Sequence, residues 1–115
     1  MDDFPHPSLR IRPADPGDIP ELLAMVRELA EFEHLAHQVT ATEEDYRGNL
    51  FGEKPSVEAL IAEADGERVG YAIFFPTFST FLGRAGIWLE DLYVRPAHRG
   101  RGFGKALLKA VGTIA

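Results

Sequence analysis

An apolar run, Ile87–Val94, leads through Pro96 into Arg99-Gly100-Arg101-Gly102-Phe103-Gly104-Lys105, after which the chain keeps helical spacing to its end. Few folds accommodate that order. A strand that empties into a glycine-rich turn and a helix start gathers backbone N–H groups at one point. First-turn donors of a helix lack intrahelical acceptors, and the helix dipole is positive there. Such a junction binds phosphate. Glycines at alternate positions let the backbone approach a bulky diphosphate, and Arg99, Arg101 and Lys105 add positive charge at the same place.

Spacing narrows the choice of phosphate. A P-loop places four residues between its first Gly and the Gly-Lys pair, then Ser or Thr; here three residues separate Gly100 from Gly104-Lys105, and Ala106 follows. The dinucleotide pattern Gly-x-Gly-x-x-Gly fails because Lys105 stands at its third glycine. An arginine-glycine segment that binds nucleic acid is longer and is not welded between a strand and a helix.

At 115 residues the chain is one domain, able to bury about 65% of its extended surface. No apolar stretch approaches the roughly 20 residues of a membrane span. The acidic, proline-containing start Met1-Asp2-Asp3-Phe4-Pro5 is the reverse of a secretory signal. With no Cys there is no disulfide framework, no thiolate nucleophile and no Cys-based zinc site, so a cytoplasmic protein is expected. The net charge of −6 is uneven: Met1–Gly66 holds fifteen acidic and five basic residues, Glu67–Ala115 three and seven. The acidic half argues against a nucleic-acid partner, and the basic half suits phosphate.

Residues 1–8 read as a flexible arm and residues 9–115 as the domain. Leu9–Arg12 alternates and ends at Pro13, a short strand. Asp15 caps a helix with Pro16 in its first position, and Ile19, Leu22, Leu23, Val26, Leu29 and Ala30 give it one apolar face to about Phe32. Thr42 caps a second helix through Leu50, ended by Gly52. Val57–Ala64 and Arg68–Phe75 form a hairpin around Asp65-Gly66, and Pro76 ends the second strand. Thr77–Gly86 reads as a loop carrying exposed Phe78 and Phe81. Ile87–Val94, apolar on both faces, is expected at the centre of the sheet. A helix over Gly102–Ala115 has Leu107, Leu108, Val111 and Ile114 as its apolar face. The order is β-α-α-β-β-β-α.

The pattern Arg-x-x-Gly-x-Gly, carried by Arg99, Gly102 and Gly104 between strand and helix, resembles the coenzyme A pyrophosphate loop of the GNAT acetyltransferases. Ile11-Arg12-Pro13-Ala14, the Asp-Gly hairpin, Val69-Gly70-Tyr71 and Leu92-Tyr93-Val94 with Pro96 stand where that family has them. Glu28-Leu29-Ala30-Glu31-Phe32-Glu33, Gln38-Val39, Phe51-Gly52-Glu53 and Trp88-Leu89-Glu90-Asp91 resemble its diamine acetyltransferase branch. Ser79-Thr80-Phe81-Leu82-Gly83-Arg84 is closer to the thialysine type than to the polyamine type.

The resemblance implies an α/β (α+β) fold with a mixed, mainly antiparallel sheet flanked by helices. It also implies acetyl-CoA as co-substrate, a small amine as acceptor (thialysine, a diamine or a polyamine) and a homodimer. Gly100, Arg101, Gly102, Phe103, Gly104 and Lys105, with Arg99, would hold the pyrophosphate, and the edge of Leu92, Tyr93 and Val94 would pair with pantetheine. Phe32, Glu33, Glu90 and Asp91 match amine-binding positions.

Glu90 is the candidate catalytic base. An amine of pKa ~10 is protonated at neutral pH and must lose its proton. Within an apolar strand Glu90 is either desolvated, which raises its pKa toward a useful value, or placed at a strand end in solvent; burial logic leaves both open and the resemblance favours the base. Glu90 and Asp91 point to opposite faces unless a bulge intervenes. Arg95, Arg99 and Arg101 form a basic rim placed for contact with coenzyme A. His34 and His37 have the spacing of a metal pair but no obvious third ligand, so no metal is expected.

The family continues beyond this helix with further strands and a Tyr that serves as general acid, a position that Tyr46, Tyr71 and Tyr93 do not match. The expectation from the ending at Ala115 is a domain lacking its C-terminal strands. The alternative function is then a catalytically incomplete coenzyme A-binding or oligomerising fragment.

Overall fold

The computed structural model describes residues 9–114; the arm expected over residues 1–8 and Ala115, the last residue of the expected helix Gly102–Ala115, lie outside them. Strands β1 (Leu9–Pro13), β2 (Glu58–Ala64), β3 (Glu67–Ser79) and β4 (Arg84–Val94) form one sheet in the order β1-β2-β3-β4, every neighbouring pair antiparallel. Helices α1 (Ile19–Phe32) and α2 (Glu43–Phe51) follow β1, and α3 (Phe103–Ile114) follows β4. Element order and fold class are those expected.

Each face of the sheet carries its own core. Leu22 and Met25 of α1 and Leu50 of α2 pack on Ile61, Tyr71, Ile73 and Tyr93. Phe103, Leu107 and Val111 of α3 pack on Leu60, Ala72, Phe74 and Val94 on the opposite face. Alternate residues of β2 serve alternate cores, which is why Glu58–Ala64 is apolar almost throughout.

Capping is local and matches the sequence, with one shift. Asp15 accepts from Gly17 N–H at 2.8 Å and Asp18 reaches back to Asp15 N–H at 2.7 Å, but the turn so capped, Pro16–Asp18, is 3₁₀ rather than α. Ile19 N–H donates to Pro16 O, and Pro20 has no N–H with which to continue an α-type bond to that carbonyl. The α-helix therefore starts at Ile19. Thr42 and Asp45 form a capping box at the start of α2.

Two strand expectations are corrected. Thr77–Gly86 is not a loop: β3 continues to Ser79 and β4 starts at Arg84, so only residues 80–83 turn. Among the described residues β3 beyond Phe74 pairs with β4 alone, so Pro76 lies where one flank has no ladder to supply. The result is a hairpin arm bearing exposed Phe78, Phe81, Leu82 and Trp88. Nor is β4 central: among the described residues it pairs only with β3. Its two apolar faces record helices above and below the sheet, not strands on both flanks.

Part of the charge is consumed in pairing, within the acidic half and, through Arg68, across to the basic half. Asp18, with no exposed surface, accepts from Arg12 Nη1 and Nη2 at 2.7 and 2.8 Å and from Arg68 Nε at 2.6 Å. Arg12 also pairs with Glu63. The Arg12 hydrogen bonds, above all, hold the Asp18 carboxyl well below the usual carboxylate range. This cluster ties α1 to the first three strands.

Candidate active site

The ladder between β3 and β4 runs Gly70↔Val94, Tyr71↔Tyr93, Ala72↔Leu92 and Ile73↔Asp91, and then steps to Phe74↔Leu89. Glu90 is the extra residue of a β-bulge. The bulge overrides simple alternation: Glu90 and Asp91 both line one cavity of about 280 Å³ on the α2 side of the sheet, with Asp45, Tyr46 and Asn49 of α2 opposite. Asn49 is fixed there, donating through Nδ2 to Asp45 O at 2.8 Å and accepting from Ser56 Oγ at 2.7 Å.

The two carboxylates differ in environment. Glu90 is exposed, so the desolvation considered for it in the sequence falls instead on its neighbour. Asp91 is half-buried, and burial, then the adjacent Glu90 charge, raises its pKa; Glu33 pushes the same way. Opposing this, Tyr71 Oη donates to Asp91 Oδ2 at 3.3 Å. Tyr71 is fully buried and stays protonated, its own pKa raised by burial and by the Asp91 charge. Burial and then Asp91 likewise raise Tyr46. The cavity holds negative potential beside phenol rings, an arrangement that suits an ammonium group.

From Asp91, β4 runs to the glycine-rich turn. Tyr93 turns its side chain toward α1, while Leu92 and Val94 face α3, so the three share an edge but not a face. Gly100 and Gly102 have φ of 82° and 80°, the left-handed region in which a Cβ is strained, so these two glycines are required by the turn. Gly104 lies within α3. Phe103 is 1% exposed and packs in the α3 core, so its side chain is not offered to a ligand. Arg101 Nη1 lies 3.2 Å from His98 Nδ1, and its guanidinium sits 5.0 Å from the Phe103 ring. Lys105 is exposed on the first turn of α3. The positive turn, basic side chains and helix start fit a diphosphate.

Arg99 joins the glycine-rich turn to the end of α1 and to β4. Its guanidinium lies 5.2 Å from the ring of Phe32, at the end of α1, and 5.6 Å from that of Tyr93. Glu33 caps α1 next to Phe32. Arg95 departs from the expected basic rim: it turns to α1 and pairs with Glu21 and Glu28. His34 and His37 are exposed, on the turn after α1 and in the 3₁₀ turn Ala36–Gln38. Sequence reasoning did not single out Tyr71, Tyr46, Asp45 or Asn49. They converge through the sheet register and the placement of α2, for which no local pattern exists.

Known proteins resemble this chain in sequence and in fold. The sequence pattern of the Acetyltransferase (GNAT) family matches residues 22–115. Thialysine N-epsilon-acetyltransferase of Mus musculus is 44% identical over 116 residues, covering 94% of this chain and 68% of the mouse protein. Spermidine/spermine N(1)-acetyltransferase-like protein 1 of Homo sapiens is 34% identical over 113 residues, covering 92% of this chain and 16% of that protein. The crystal structure of ribosomal-protein-alanine N-acetyltransferase from Brucella melitensis superposes with a TM-score of 0.73 at 26% identity, over 91% of this chain and 70% of that one. The matched span runs from α1 into α3 and so contains both the acidic cavity and the glycine-rich turn. The chain belongs to the GNAT acetyltransferase family, in its diamine acetyltransferase branch.

Proposed function

We propose that this N-acetyltransferase moves the acetyl group of acetyl-CoA to a primary amine of a small cationic molecule of the thialysine, diamine or polyamine class. The observation that carries this reading is the bulge at Glu90, which sets two carboxylates into one cavity at the strand edge leading to the glycine-rich turn. Acetyl-CoA supplies the activated thioester. Gly100, Gly102, Arg99, Arg101 and Lys105 with the start of α3 bind its diphosphate, and the edge of Leu92, Tyr93 and Val94 receives the pantetheine. Asp91, desolvated and held by Tyr71, binds the ammonium group, with Phe32 and Glu33 extending the cradle. Glu90, open to solvent on the bulge, takes the proton directly or through water, leaving the neutral amine as nucleophile.

The absence of Cys and the charge balance support a cytoplasmic setting, and no helix among the described residues is long and apolar enough to cross a membrane. The aromatic arm around Phe78, Phe81 and Trp88 offers apolar surface for a second copy, in keeping with a homodimer.

Thiol release from acetyl-CoA, followed across thialysine, lysine, ornithine, putrescine and spermidine, tests the reading. Turnover with at least one of these amines is expected. Coenzyme A binding without turnover on any of them would favour the non-catalytic alternative.

A further inference from the structure

Glu21, Glu28 and Phe32 form one stripe along α1, and all three meet the segment that joins β4 to α3. Glu28 is the centre of it. Tyr93 Oη donates to Glu28 Oε1 at 3.0 Å, Arg95 Nη2 donates to Oε2 at 2.9 Å, and Arg95 Nε lies 3.2 Å from both oxygens. Arg95 Nη1 completes the cluster on Glu21 Oε2 and Arg68 O, each at 3.0 Å. One turn along α1, Phe32 meets the guanidinium of Arg99, whose Nε donates to Val94 O at 2.8 Å.

Tyr93 and Arg95 flank Val94, the last residue of β4, so a carboxylate that grips both fixes where the strand ends and the turn begins. Ion pairs at this partial exposure add little to global stability. Their geometry is nonetheless restrictive: a planar fork on a carboxylate, shared with a phenol, allows few placements of the strand end.

We propose that Glu28 is a positioning residue for the cofactor turn. From α1 it sets the strand edge and glycine-rich cradle that receive acetyl-CoA, and it touches neither the reacting acetyl group nor the amine. The inference rests on the acetyl-transfer reading above. It also makes α1 a common frame: Glu28 registers the cofactor side, while the helix end presents Phe32 and Glu33 to the amine side.

The test uses Glu28→Ala and Glu28→Gln in the full-length protein. Glu28→Ala is expected to weaken coenzyme A binding by calorimetry about tenfold, to raise KM for acetyl-CoA in proportion, and to keep KM for the amine within about twofold. Without any ligand, amide hydrogen exchange should quicken over residues 93–102 and stay unchanged in β1 and β2. Glu28→Gln still accepts from Tyr93 and should recover part of the affinity. A folded Glu28→Ala with wild-type coenzyme A affinity overturns the proposal, as do equal losses for coenzyme A and amine, which indicate general loosening. If Glu28→Ala does not fold, Tyr93→Phe removes one bond of the cluster and must weaken coenzyme A binding in the same direction; unchanged binding overturns the proposal. Wild-type protein that fails to bind coenzyme A overturns the acetyl-transfer reading and this inference together, whereas wild-type binding with an insensitive Glu28 overturns the inference alone.

Discussion

Tyr71 donates its phenolic hydrogen to Asp91 across the β3–β4 pair, at 3.3 Å, from a position with no exposed surface. The bond opposes three influences that favour the protonated acid: burial, then the Glu90 charge, then the Glu33 charge. Asp91 is therefore a carboxylate whose proton affinity is set by a balance of identifiable neighbours, and each neighbour can be removed.

The pH dependence of kcat/KM for the amine follows from that balance. On the proposed acetyl-transfer reading Asp91 holds the ammonium group when ionised, so its raised pKa places the acid limb above that of an ordinary carboxylate. Tyr71→Phe removes a bond to the ionised form, so Asp91 binds its proton more tightly and the limb moves to higher pH. The lost bond costs about 1 kcal/mol of stability in urea. Glu90→Gln removes a like charge, so the limb moves to lower pH while the rate falls most where the amine is protonated. A limb that stays in place in both variants removes Asp91 from the titrating site.

Folding stability should depend on acid through Asp18. Its folded pKa is depressed, so the unfolded chain binds the extra proton as pH falls. The stabilisation is complete above the unfolded carboxyl pKa near ~4 and is lost progressively below it. Asp18→Asn leaves Arg12 and Arg68 without their buried partner and is expected to cost about 3 kcal/mol at neutral pH. Urea midpoints between neutral and acidic pH check both points: wild type should fall with acid, and the variant should be flatter.

The helix that walls the acidic cavity depends on its cap. Leu50 is the one residue of α2 described as buried, so packing holds this helix lightly. Thr42→Ala breaks the capping box, costs about 1 kcal/mol, and loosens Tyr46 and Asn49. KM for the amine should rise while calorimetric affinity for coenzyme A stays unchanged. Reversed effects would show that α2 does not wall the amine site.

The cofactor turn needs its second glycine. Gly102→Ala forces a Cβ into φ near 80°, at a cost of roughly 1–2 kcal/mol relaxed by opening the turn. Weaker coenzyme A binding is expected, with the pH dependence of the acidic pair intact. Calorimetry and the pH–rate profile report the two separately.

What the sequence made legible was local. Asp15, Thr42 and Asp65-Gly66 act within a few residues of themselves, and Gly100 and Gly102 lie in the turn that the spacing marked, where both have positive φ. The hairpin arm was illegible because Thr77–Gly86 has no core to impose an alternation, and Pro76 reads as a stop wherever a neighbouring strand is assumed. The edge position of β4 was hidden because apolar faces report what lies above and below a strand, never beside it. The burial considered for Glu90 belongs to Asp91 because the bulge is set by the partner strand. Likewise Glu28 and Arg95, 67 residues apart, leave no mark in spacing.

The extra residue in β4 has an evolutionary reading. Leu89 already stands opposite Phe74, on the α3 side, and Asp91 opposite Ile73, on the other. Deleting Glu90 would join these neighbours into a regular strand with every remaining pair still in register. A solvent-facing carboxylate is thus added or removed at this edge by a single-codon insertion or deletion that keeps the register, so the charge of the cavity can change without rebuilding the core.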